Sequence, residues 1–219
     1  MLQQLKDKNI IWFANEQSTD NSYLASGYRE LDYITGGFPS SGIIEVKSLL
    51  GSGEIRLLLH YLLKKSDQEM IAVINPPSLL SNEFLLQQNI NLDQLIYINT
   101  DSIDDALWSV EYCLKSGLCP CVLLWQNSFS FKSIRRLNLA CETNGSSLIV
   151  YTIPDSTPMN GVKLSLSLHP TDTDLKIIIN KAKGKVFSKQ PIINMQNYWP
   201  RLYEQKRPIR PDKSFTFAS

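Results

Sequence analysis

Short apolar runs alternate with segments of helical period along most of this chain. Ile43 to Val46 is a compact apolar run that reads as a buried strand. After it, Ile55, Leu58, Leu59, Leu62 and Leu63 recur at helical spacing, with Arg56, His60 and Lys64 on the opposite face. Met70 to Ile74 reads as the next strand, stopped by Pro76 and Pro77. A short helix near Asn82 to Gln88 leads to a strand at Leu95 to Ile98. Ile103, Ala106, Leu107, Val110 and Leu114 mark a second amphipathic helix that Gly117 ends. Cys121 to Trp125 reads as a fourth strand. The helix after it runs from Phe131 to about Thr143, with Ile134, Leu137, Ala140 and Cys141 inward and Arg135 and Arg136 outward. Leu148 to Thr152 is a fifth strand. This alternation predicts an α/β doubly wound, mainly parallel sheet with helices on both faces.

After Pro154 the pattern changes to simple alternation. Val162 to Leu168, Leu175 to Asn180 and Ile192 to Met195 read as added antiparallel strands on the C-terminal side, extending one sheet edge. Residues 196 to 219 lose periodicity. They hold five Lys and Arg against two acids, with Tyr198, Trp199, Tyr203, Phe215 and Phe217 interleaved, and read as a basic, aromatic, flexible tail. The expected organisation is an N-terminal arm over 1–25, a core domain over 26–195 and this tail over 196–219.

Composition narrows the function classes. The 219 residues are 43% hydrophobic and 20% charged, with a net charge of +1, which argues against a surface built throughout to hold nucleic acid. No stretch approaches the ~18 apolar residues of a membrane span, and the first residues carry charges where a signal peptide needs an apolar run. A cytoplasmic protein without membrane contact is expected. Cys113, Cys119, Cys121 and Cys141 lack zinc-knuckle spacing, and the chain has only His60 and His169, so the cysteines read as reduced core thiols and no metal is expected.

The chemistry of such a sheet normally sits where its first strand feeds a phosphate-binding loop, G-x-x-x-x-G-K-[ST]. Here the strand is followed by Lys47, Ser48, Leu49, Leu50, Gly51, Ser52, Gly53, Glu54 and Ile55. With Ser48 and Gly53 in the two glycine slots, Glu54 stands in the lysine slot and Ile55 in the Ser/Thr slot. A carboxylate replaces the ammonium that would meet a triphosphate. At ~4 Å and an effective dielectric of about 20, each like-charge pair costs roughly 4 kcal/mol. Ile55 offers no ligand to a hard cation. The residues predict a loop that has lost its nucleotide, hence no cofactor and no catalysis.

Residues 26 to 46 resemble the opening of the RecA recombinase core: Gly27 to Asp32 as G-x-x-x-L-D, then the Gly36-Gly37-Phe38-Pro39 turn and the strand into the loop. The similarity continues to Leu175–Lys183 and Ile193. It implies a RecA-like fold over 26–195. The family's catalytic glutamate slot matches Pro77 and its magnesium-linked aspartate slot matches Trp125, and neither side chain serves as base or ligand. The connections 126–130 and 154–161 are short where recombinase DNA loops are long.

Within that superfamily, Asp104 to Gly117, Leu123 to Trp125 and Ile134 to Thr143 resemble the ImuA/SulA group of SOS-response proteins, and the length and complete opening are more similar to ImuA. ImuA-like character implies an adaptor for mutagenic translesion synthesis, with a Y-family polymerase homologue, a replicative-type polymerase and RecA as partners. The alternative it implies is a SulA-like cell division inhibitor that binds FtsZ. A divergent nucleotide hydrolase and a DNA-binding module that depends on the tail remain as two further readings.

The candidate partner-binding residues follow. Ile11, Trp12 and Phe13 lie in an apolar run before the core, which is either an edge strand of this domain or an addition to a neighbour's sheet. Trp125 either anchors a partner or fills the emptied pocket. Lys115, Arg135 and Arg136 are either solvated or a partner surface, Lys115 standing at a slot that SulA-like segments make basic. Trp199 and Arg201 belong to the tail, expected to be inert, to grip a protein, or to make a weak contact with single-stranded DNA.

Overall fold

The computed structural model describes residues 23–66, 69–157, 159–184 and 187–204. Ile11, Trp12 and Phe13 lie outside these residues. Among the described residues, eighteen short elements follow one another in chain order. They are β1 (Tyr23–Leu24), α1 (Arg29–Thr35), β2 (Phe38–Pro39), β3 (Gly42–Lys47), α2 (Glu54–Ser66), β4 (Ile71–Ile74), α3 (Asn82–Gln87), a 3₁₀ turn (Leu92–Gln94), β5 (Leu95–Ile98), α4 (Ile103–Ser116), β6 (Cys121–Trp125), α5 (Phe131–Asn144), β7 (Ser147–Thr152), β8 (Leu164–Pro170), β9 (Asp174–Ala182), β10 (Ile192–Asn194), α6 (Met195–Tyr198) and α7 (Pro200–Tyr203).

Eight strands form one sheet in the order β10-β9-β8-β3-β7-β6-β4-β5. From β8 to β5 all neighbours are parallel, while β9 and β10 are antiparallel additions. All six residues of β3 are buried between β7 and β8, as expected for a central strand covered on both faces. The two-residue period of the strands sorts the core into two layers. Ile44, Val46, Val73, Leu123 and Ile149 pack with Leu57, Leu58, Tyr61 and Leu62 of α2. Ile43, Ala72, Val122, Leu124 and Leu148 pack with α4 and α5. Helices therefore cover both faces of the sheet.

The elements stop where their chemistry changes. The Ser102 hydroxyl accepts from Asp105 N–H at the start of α4, and Ser130 accepts from Ser133 N–H at the start of α5. Gly117 and Gly145 close these helices in the left-handed region. The four cysteines are buried and unpaired within the two layers, and burial pushes the Cys121 and Cys141 thiols up to about 12. Cys121 and Cys141 fill core volume as neutral thiols. No helix among the described residues is long and apolar enough to cross a membrane.

Several sequence expectations need correction. Strand β8 begins at Leu164, two residues later than the alternation suggested, and Ile103 is exposed although it fits the apolar period of α4. Tyr23–Leu24 pairs antiparallel with Phe38–Pro39, and the Gly37 backbone lies so near Leu24 that a Cβ there would sit 2.1 Å from the Leu24 carbonyl oxygen. At the other end, Tyr198 and Trp199 pack against the core. The Tyr198 ring lies 4.7 Å from that of Tyr28, and its hydroxyl donates to Glu30. Trp199 Nε1 donates to the Tyr28 hydroxyl at 2.9 Å while its ring meets Phe84 at 5.9 Å. Tyr198 and Trp199, which looked free for stacking, pack on the domain instead. Residues 205–219 lie outside the described residues.

Candidate functional site

The C-terminal edge of a doubly wound sheet is where a ligand crevice forms, and β3 leads into it. Ser48 N–H donates to the Thr152 carbonyl, the last sheet bond before the chain leaves the sheet. Residues 49–52 make a turn with Ser52 N–H on the Leu49 carbonyl, and Gly51 and Gly53 take φ of 80° and 97°. Those left-handed positions turn the loop into α2, whose first ladder bond is Leu57 N–H to the Gly53 carbonyl.

The loop is closed by its own side chain. Glu54 is only 5% exposed, and its Oε1 accepts from Gly51 N–H at 3.1 Å. A loop amide of the kind that would cradle a phosphate is thus spent on an internal carboxylate at the N-terminus of α2. Glu54 Oε2 is buried beside it without a hydrogen-bond partner. Meanwhile Leu49 and Leu50 at the loop tip are each 66% exposed.

Around this loop run two adjoining cavities of about 400 and 230 Å³ that share Leu50, Glu54, Pro77 and Trp125. Trp125 ends β6 and stacks on Tyr151 of β7, its register partner, with ring centroids 4.4 Å apart and planes 22° apart. It therefore floors the crevice and remains half-buried against it. Burial drives the Tyr151 phenol well above its ordinary range, with smaller contributions from Cys121 and Glu54. Pro77 is exposed on the rim. The residue that organises the end of β4 is Asn75, at φ 49°, whose side-chain carbonyl accepts from Thr100 N–H at 2.8 Å and joins the ends of β4 and β5. Leu79 and Ile153 add further exposed apolar surface. Arg56, over the Phe84 ring at 5.4 Å, supplies the crevice's cation among the described residues. The arrangement offers an apolar mouth, an aromatic floor and a buried carboxylate at the N-terminus of α2.

No family model matches the chain, and no curated protein matches it. Among solved structures, SulA from Pseudomonas aeruginosa is 22% identical over 50% of this chain and 97% of its own, with a TM-score of 0.41. So loose a superposition assigns nothing.

The other expected site residues are dispersed. Ser48, Gly53, Glu54, Ile55, Pro77 and Trp125 come together in the crevice. Lys115 and Arg136 are exposed on α4 and α5, away from that crevice, and both pair with Glu111, at 2.6 and 2.5 Å. Arg135 is exposed beside them. Trp199 is committed to the domain's own packing, while Arg201 is exposed one turn on. Sequence reasoning missed an exposed aromatic pair on α4. Trp108 and Tyr112 are 63% and 65% exposed and stack at 5.4 Å with planes 20° apart. The signal lay in two large aromatics, four residues apart, out of phase with the helix's apolar stripe.

Proposed function

We propose that this chain is a non-catalytic adaptor with a RecA-like fold, resembling ImuA, that supports translesion DNA synthesis through protein–protein contacts. The observation that supports the non-catalytic part is the buried Glu54 carboxylate on the Gly51 amide, at the sequence slot where a phosphate-binding loop carries lysine. The apolar mouth supports a protein as the occupant. Leucines at the loop tip and a tryptophan floor suit the burial of a partner's side chain and do not suit a polyanion. The identity of the partners rests on the resemblance of residues 104–117, 123–125 and 134–143 to the ImuA/SulA group.

Capture on the tagged full chain tests the reading, with a Y-family polymerase homologue, a replicative-type polymerase, RecA and FtsZ as separate arms. Retention of the polymerase components or RecA, lost in an L49D/L50D variant that still folds, is the expected result. Retention of FtsZ alone would replace it with a division-inhibitor role.

A further inference from the structure

A second surface of the molecule is built differently from the crevice. The outer face of α5 and the β8–β9 hairpin enclose an open groove of about 720 Å³. Lys132, Arg135 and Arg136 line it from the helix, and Lys163, Lys181 and Lys183 from the hairpin, against the single acid Glu142. Backbone bonding holds the hairpin cations together, with Lys183 N–H on the Lys163 carbonyl. Lys163 is tied to Ser41 and Arg136 to Glu111, whereas Lys132, Arg135, Lys181 and Lys183 have no ion pair among the described residues. Cations gathered within a Debye length repel one another unless an anion enters.

An ion pair links the groove to the helix that carries the exposed aromatic pair. Trp108, Glu111, Tyr112 and Lys115 fall at i, i+3, i+4 and i+7 on one face of α4, and Glu111 bridges that face to Arg136 of α5. A basic groove that tracks a backbone, beside stacked rings open to solvent, is the combination that holds single strands without sequence preference. Such rings can stack on unpaired bases, which a duplex does not offer.

We propose that the α4–α5–β9 surface binds single-stranded nucleic acid, with phosphates in the lysine and arginine groove and bases on Trp108 and Tyr112. This surface is distinct from the C-terminal residues considered above for DNA, and the inference stands independently of the adaptor reading.

Fluorescence anisotropy of the full chain with a fluorescein-labelled oligothymidylate of about 20 nucleotides tests it. Affinity is expected to fall with salt at a logarithmic slope near −3, roughly −0.7 for each of the four unpaired cations. K132E/R135E and K181E/K183E should each weaken binding about tenfold or more, with unchanged thermal midpoints. W108A/Y112A should weaken oligothymidylate binding about tenfold while leaving heparin binding unchanged. Absence of binding at low salt, equal affinity in the charge-reversed variants, or equally good competition by polyglutamate would overturn the proposal, the last in favour of an acidic protein partner.

Discussion

At the scale of single residues, buried polar groups carry much of the specificity of this fold. The Tyr61 hydroxyl lies inside the α2 face, donating to the Pro39 carbonyl at 2.8 Å and lying 2.6 Å from Ser147 Oγ. Tyr61→Phe leaves that carbonyl without its partner and should cost about 1–3 kcal/mol in urea unfolding. Glu54 does comparable work in the loop. Glu54→Ala removes the acceptor for Gly51 N–H, a charge-assisted bond worth roughly 1.5–3 kcal/mol, so amide exchange at Gly51 should accelerate about tenfold or more while core amides are unaffected. The sequence alone disclosed an acid at position 54. It did not disclose where that carboxylate goes, because the bond depends on the turn that Gly51 and Gly53 impose. Trp125 was similarly legible as a residue at a strand end, whereas its stack on Tyr151 follows from the β6–β7 register.

At the scale of elements, the long periodic segments read clearly because each buries a continuous stripe. α4 and α5 lie where their apolar period placed them, and β5 and β6 fall on the expected residues. The pieces that escaped are short and owe their existence to tertiary contact. α1 is seven residues long and ends on Gly36, and β1 and β2 are two residues each. α6 and α7 are four-residue turns held by Tyr28 and Phe84, so nothing periodic announces them. Two glycines illustrate the difference between local and tertiary demands. Gly117 closes α4 at φ 75° with open space around it, so Gly117→Ala should cost only about 1 kcal/mol. Gly37 combines φ 107° with the Leu24 backbone at 2.1 Å from a would-be Cβ. Gly37→Ala should lower the thermal midpoint at least about twice as far, because the backbone itself must shift.

At the scale of the whole molecule, one sheet supports two surfaces of different chemistry. The crevice lies beyond the C-terminal ends of the parallel strands and presents leucine and tryptophan, while the groove along α5 and the β8–β9 hairpin presents lysine and arginine. Closure of the domain depends on the residues after β10. A chain ending at Asn194 loses the Tyr198 and Trp199 contacts with Tyr28, Glu30 and Phe84, and should melt lower and less cooperatively than the full chain by circular dichroism. The central claim is that the loop after β3 has given its phosphate seat to Glu54. Calorimetric titration of ATP with magnesium into the full chain tests this most directly. The expected result is no saturable heat up to about 1 mM nucleotide, whereas a dissociation constant in the micromolar range would contradict it.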